Sequence, residues 1–345
     1  MPFLPKTPAA PPAGLPGAKD WQREMRNAFR SVPSLLLHLE LDPALAPARL
    51  LTDPVFPILV PGSFAARMAK GDWKDPLLLQ VLPLARENEA APGFQADAVG
   101  DLASQIVPGL LHKYASRALM MVSHQCAVHC RYCFRREFPY GDMPRGQAGW
   151  DEAWSYLENT DGIDEIILSG GDPLFLDNRR LEQILDRALG LASIRTVRIH
   201  SRLPVVLPSR VESGLLGLLS KVAESKALVL VIHANHAREL DTDVVAGIAA
   251  LRGTGAMLLN QAVLLGGVND DEEALADLSR SLVRCGVLPY YLHQLDKVNG
   301  TVHFEVPEAR GRALIEALRG KLPGYAVPRY VRETAGEAYK TPLSG

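Results

Sequence analysis

The chain is poor in cysteine, in net charge and in long apolar runs, and each shortage closes off a class of protein. Four cysteines in 345 residues are too few for a small scaffold stapled by disulfides. A formal net charge of -2 gives no electrostatic footprint for nucleic acid or for an anionic membrane surface. No charge-free apolar run reaches the ~18 residues that mark a membrane-spanning helix. The N-terminal stretch has proline at 2, 5, 8, 11, 12 and 16 and lacks a continuous apolar segment, so residues 1–19 read as a disordered leader rather than a signal peptide. The expectation is a cytoplasmic protein, where thiols stay reduced and clustered cysteines point to metal binding or catalysis.

What is present is a large supply of core. Hydrophobic residues make up 47% of the chain. From Asp20 to about His112 the pattern reads as helical and broken by prolines, with "DWQREMRNAF" and "AVGDLASQIVPGLLHKY" as its clearest amphipathic segments. Beyond it the texture changes. Short β-branched runs begin at Ala118, Asp164, Thr196, Leu228, Ala256 and Val287, and stretches such as "RRLEQILDRALGLA" and "DEEALADLSRSLVRCG" between them have helical periodicity. A strand, a helix and two loops occupy about 30 residues, so the spacing predicts six βα units around a parallel sheet. An open doubly wound sheet and an incomplete barrel both fit that count. The predicted strands end in polar or glycine residues (Cys126, Ser169 to Asp172, Ser201 and Arg202, His233, Gln261, His293, Asp296), which favours a barrel with its chemistry at one mouth.

Three of the four cysteines, Cys126, Cys130 and Cys133, fall in "CAVHCRYCFRR" with the spacing C-x3-C-x2-C. The fourth, Cys285, continues the apolar face of Leu275, Leu278 and Leu282 and reads as a core residue. Three thiolates in one loop hold three irons of a [4Fe–4S] cluster and leave the fourth iron open to a small molecule. Zinc completed by His124 or His129 is the competing reading. The stretch "SGGDPL", Ser169 to Leu174, follows a predicted strand and precedes a helix, a place where glycines let backbone approach a ligand.

The cysteine spacing at the end of the first predicted strand resembles the radical S-adenosylmethionine (SAM) superfamily. That resemblance implies SAM bound through its amino and carboxylate groups to the open iron, and cleaved to a 5'-deoxyadenosyl radical. It also implies that the loop of Ser169, Gly170, Gly171 and Asp172 contacts the SAM amino group, with Gln261 as a further cofactor ligand.

A closer resemblance is to the lysine 2,3-aminomutases. It rests on "FPILVPGSF", "CAVHCRYCFRREF", "ILSGGDPL", "RIHSRLPVVLPSRV", "NQAVLLGGVND", "LPYYLHQLDKVNG" and "GEAYKTPL", in order from about Phe56 onward. The resemblance implies an incomplete (β/α)6 barrel over 116–325, a helical region over 20–115 and a segment binding pyridoxal 5'-phosphate (PLP) over 326–345. It implies that Lys340 holds PLP as a Schiff base, that Arg117 and Lys113 bind its phosphate, and that Arg135 clamps the substrate carboxylate. Asp296 and Glu333 match the two acids that grip the ammonium of L-lysine. Two features depart from the longer, free-standing enzymes: Asp271 stands where those place a zinc cysteine, and "AGEAY" replaces a glycine run before the lysine. Both are similar to the shorter branch that supplies (R)-β-lysine for modifying elongation factor P, where a lysyl-tRNA-synthetase-like ligase attaches the product. The resemblance further implies a reductant such as flavodoxin or ferredoxin. It leaves open a homo-oligomer, a free-standing aminomutase for lysine, arginine or glutamate, a non-catalytic iron–sulfur sensor or electron-transfer module, and a docking partner of elongation factor P.

Overall fold

The computed structural model of the protein describes residues 17, 19–144 and 148–344, so the leader expected over 1–19 lies almost wholly outside the described residues. Ten strands form one mixed sheet: β1 (Gln105–Val107), β2 (Leu110–Tyr114), β3 (Arg117–Ser123), β4 (Glu165–Gly170), β5 (Thr196–Ser201), β6 (Ala227–Ile232), β7 (Met257–Val263), β8 (Leu288–His293), β9 (Arg329–Arg332) and β10 (Thr341–Pro342). Their order in the sheet is their order in the chain. β3 to β9 pair in parallel, while β1–β2–β3 and β9–β10 are antiparallel. The six strand starts read from the sequence fall within one residue of β3 to β8.

Helices Asp151–Asn159, Asn178–Gly190, Ser213–Ser225, Thr242–Gly253, Glu272–Cys285 and Glu308–Lys321 link the parallel strands in turn. Crossovers of one hand between successive neighbours put the helices on one face of a sheet, and the other face is left to enclose a space. Local chemistry sets the helix ends. Asp177 accepts from Arg180 N at 2.9 Å to start one helix, and Asp271 accepts from Ala274 N at 2.9 Å to start another. Gly286, at φ 76°, ends the second in the left-handed conformation that glycine adopts without strain. Leu275, Leu278 and Leu282 are buried as their periodicity predicts, and Cys285 packs partly buried against the same core. Central strand β4 is buried on both faces, as a covered parallel sheet requires.

The N-terminal region differs from the expected helical region over 20–115. Asp20–Arg26 and Val32–His38 are helices, but "AVGDLASQIVPGLLHKY" is not. It forms a short 3-10 turn at Leu102–Ser104 followed by the β1–β2 hairpin. Pro108 and Gly109 supply the turn, and Gly109 sits at φ 82° with the Trp150 ring 2.8 Å from where a Cβ would stand. The apolar residues on either side therefore serve two strands rather than one helix face. The two ends of the sheet meet through side chains: Tyr114 on β2 donates to Glu333, just beyond β9, at 2.7 Å. Among the described residues no helix is long and apolar enough to cross a membrane.

Candidate active site

The sheet encloses a cavity of about 1220 Å³. It is lined by Cys126, Cys130 and Cys133 from the loop after β3, Ser169 to Asp172 from the end of β4, Gln261 on β7, Asp296 after β8, Lys113 on β2, Arg117 on β3, Arg135, Glu333 and Lys340, but not by His124 or His129. A single drug-sized ligand occupies about 300–1,000 Å³, so the space is large enough for more than one molecule.

The cysteine wall is rigid. Burial, then Asp172 and the neighbouring cysteines, push the Cys126 thiol up, and burial pushes Cys133 up to about 11. Buried thiols crowded in this way suit a cationic occupant that offsets the charge of their thiolates. Among the described residues no three His, Cys, Asp or Glu side chains converge as ligands of a single ion. His129, named with His124 as a zinc ligand, instead places Nδ1 2.8 Å from Pro57 O and stacks on Phe56. The loop is braced by Arg131, which is 0% exposed and forks onto both carboxylate oxygens of Glu87; Arg136 reaches the same carboxylate at 2.6 Å.

The Gly-Gly-Asp stretch works differently from the sequence expectation. The Gly170 φ is 116°, and a Cβ there would stand 2.3 Å from Ser123 O; at Gly171 it would stand 2.5 Å from Gln125 O. The close approach that needs glycine is to the backbone leading into Cys126. Gly171 N and Asp172 N complete the junction, donating to Ser123 O at 2.6 Å and Gln125 O at 2.7 Å. Asp172, expected to face an ammonium group, takes Leu174 N and Ser201 Oγ on one oxygen and Arg202 N and Leu203 N on the other, at 2.7 to 3.1 Å. Burial raises it to about 6 against those donors. Its four acceptor positions are filled by the chain itself, so it fixes the ends of β4 and β5 rather than presenting a free carboxylate.

Asp101, missed in the sequence, organises the basic residues. Arg135 Nε donates to it at 2.6 Å and Lys113 Nζ pairs with it at 2.7 Å. Lys113, which the resemblance offers as a phosphate ligand, also donates to Val99 O at 2.8 Å, so its ammonium is engaged twice here. Arg117 lies over the Tyr114 ring at 4.2 Å and makes no ion pair among the described residues, which leaves its guanidinium open to an anion. Arg135 Nη1 reaches Ser169 Oγ at 3.1 Å. Lys340 Nζ donates to Glu333. Burial pushes Glu333 up, but Lys340, Tyr114 and Lys113 outweigh it and hold the carboxylate below its usual range.

The Asp296 carboxylate has no hydrogen-bond partner among the described residues, and the residue lines the cavity. Desolvation first, and Glu333 beside it, raise it to about 7 against the pull of Lys340. Gln261 Nε2, His200 Nε2 and His293 Nε2 are buried, line the same space and have no partner among the described residues. Burial holds both histidines well below their usual range, hence neutral. Orphaned donors and acceptors of this kind fit a polar ligand set. The two histidines carried no sequence signal beyond being polar residues near predicted strand ends, and Asp101, ahead of the turn at Leu102–Ser104, carried none.

Comparison with known proteins agrees with this geometry. A profile described as "4Fe-4S single cluster domain" matches residues 115–197. An L-lysine 2,3-aminomutase of Escherichia coli is 42% identical over 95% of this chain and 95% of its own length. The enzyme of the same name from Haemophilus influenzae is 38% identical, covering 94% and 95%, and that of Clostridium subterminale is 32% identical, covering 94% and 77%.

Proposed function

The chain belongs to the lysine 2,3-aminomutase family, and from that membership we propose that it is a radical SAM, PLP-dependent enzyme converting L-lysine to (R)-β-lysine. The observation that carries the reading is the gathering of residues from Lys113 to Lys340 on one enclosed cavity. When bound, the cluster with SAM supplies a 5'-deoxyadenosyl radical, and PLP supplies a carrier for the migrating amino group. Cys126, Cys130 and Cys133 would hold the cluster, Lys340 would hold PLP, and Arg117 would take its phosphate. In this reading the sheet is an incomplete (β/α)6 barrel whose C-terminal segment brings Lys340 to the mouth.

The chain's own groups divide the work of binding. Arg135, braced by Asp101 and Ser169, offers a pre-oriented guanidinium to a substrate carboxylate. Asp296 offers an unpartnered carboxylate to the side-chain ammonium, with Glu333 beside it once Lys340 is engaged elsewhere. Two acids repel a glutamate side chain, which favours a cationic substrate. The enclosing walls keep water from a reactive radical. Service to elongation factor P, rather than to free β-lysine, is supported by Asp271, which here caps a helix where the longer enzymes carry a zinc cysteine.

The test is an anaerobic assay of reconstituted protein with SAM, PLP, dithionite and L-lysine, with stereoisomers of the product resolved. (R)-β-Lysine that requires both cofactors, and that the ligase transfers to elongation factor P, supports the whole reading. 5'-Deoxyadenosine without β-lysine leaves the radical chemistry and removes the substrate assignment. Release of arginine- or glutamate-derived β-amino acid in competition assays removes lysine specificity.

A further inference from the structure

One cation sits against the cysteine loop and has no part in the reading above. Arg202, just beyond β5 and 8% exposed, places Nη1 2.6 Å from Cys130 Sγ. Its other groups fix it there. Nη2 donates to Gln80 Oε1 at 2.7 Å and to Glu239 Oε2 at 3.1 Å, and the backbone N donates to Asp172 Oδ2 at 2.7 Å. The guanidinium also lies over the rings of Phe64 and Tyr132 at 5.4 and 5.6 Å. Glu239, 0% exposed, is held in turn by Asn235 N at 2.8 Å, His236 N at 3.1 Å and Gln80 Nε2 at 3.1 Å. A cation pinned from so many directions cannot swing away to solvent, and its aim at one sulfur is built into the fold.

We propose that Arg202 is a positioning residue that raises the reduction potential of the iron–sulfur cluster through its bond to Cys130 Sγ, and that Glu239 moderates the effect by partly neutralising the guanidinium. The proposal rests on the reading of Cys126, Cys130 and Cys133 as cluster ligands. Adding an electron to a cluster makes it more negative. A fixed N–H donor and positive charge at a ligand sulfur stabilise that state, and they act strongly where water is excluded. Glu239 lies behind the guanidinium, so its negative charge opposes the same stabilisation from further away. The two residues therefore push the potential in opposite directions. A simple brace for the loop gives no such opposition.

The experiment compares wild type with Arg202→Gln, Arg202→Lys and Glu239→Gln, each reconstituted anaerobically and checked for iron and sulfide content. Each is then titrated potentiometrically, with the reduced cluster followed by electron paramagnetic resonance. Arg202→Gln is expected to lower the reduced fraction at a fixed ambient potential about tenfold, a shift of about 59 mV to the negative for one electron. Glu239→Gln shifts the midpoint the other way by a smaller amount, and Arg202→Lys falls between wild type and Arg202→Gln. Midpoints of Arg202→Gln and Glu239→Gln that coincide with wild type, or move in the same direction, overturn the proposal and leave the cluster reading intact. If Arg202→Gln assembles no cluster, Glu239→Gln decides: a positive shift supports the proposal and an unmoved midpoint overturns it. A wild-type chain that assembles no cluster at all overturns both.

Discussion

The two walls of the cavity are built on different rules. On the cysteine side the supporting charges are deeply buried and fixed by several partners at once: Arg131 at 0% exposure forks onto Glu87, which Arg136 also reaches, and Arg202 is committed to Gln80, Glu239 and Cys130. On the lysine side the charges share partners that can trade. Glu333 is approached by Tyr114, Lys113 and Lys340 together, and residues Thr334 to Tyr339 between Glu333 and Lys340 are exposed. A buried pair is costly to break because the remaining charge has no water to fall back on, whereas Glu333 keeps Tyr114 and Lys113 when Lys340 leaves it. One side is a locked loop; on the other the pairing of Lys340 can change.

The largest effects should show that the two walls fail separately. Cys126→Ala is expected to abolish cluster absorption and β-lysine formation while PLP still binds at Lys340. Lys340→Ala should abolish β-lysine formation while cluster content stays at the wild-type level, both read by visible spectroscopy and iron analysis. Loss of both groups in either variant would falsify the division of the cavity into two walls.

Stability separates the walls next. Glu87→Gln leaves Arg131 buried beside a neutral partner and is expected to cost about 3–5 kcal/mol in chemical denaturation. Glu333→Gln, whose amide can still pair with Tyr114, should cost less than Glu87→Gln. Equal losses would erase the contrast. Gly171→Ala forces a Cβ against the Gln125 backbone and should cost about 1–3 kcal/mol, with cluster occupancy falling as Cys126 is displaced.

The smallest effect is in pH. Asp296 is raised to about 7, so its neutral form dominates below that value and its carboxylate above it. Only the carboxylate pairs with a cationic side chain. KM for L-lysine should therefore rise as pH falls below about 7, approaching ~10-fold per unit, with a weaker change in kcat. Asp296→Asn should flatten that limb. A KM that is level from pH 6 to 8 in the wild-type enzyme would remove Asp296 from substrate binding.

The parallel part of the fold was legible because its signal is local. Apolar runs at β3 to β8 recur with the period of a βα unit, and caps such as Asp177 and Asp271 mark the helices between them. The β1–β2 hairpin was not, because Leu110 and Leu111 also suit a helical face and only the Pro108–Gly109 turn decides between the two. The cysteines were legible by spacing alone. Lys340, Asp296 and Arg135 were legible only through the resemblance, since nothing in their neighbourhood distinguishes them from a tail, a loop and a surface charge. The Arg202, Gln80 and Glu239 network joins residues far apart in the chain, and no periodicity carries that kind of information. Asp172 is a different case: its motif was visible, but the filling of its carboxylate by its own chain was not.

The junction of Tyr114 with Glu333 bears on how the protein is made. The strand that brings Glu333 to Tyr114 comes after all six βα units in the order of synthesis, and Lys340 follows it. A ribosome adding about 5–20 residues per second releases the cysteine loop well before the segment that completes the cavity. During that interval the three thiols stand on a sheet that still lacks β9 and β10. The last strands to emerge then shut the wall behind them.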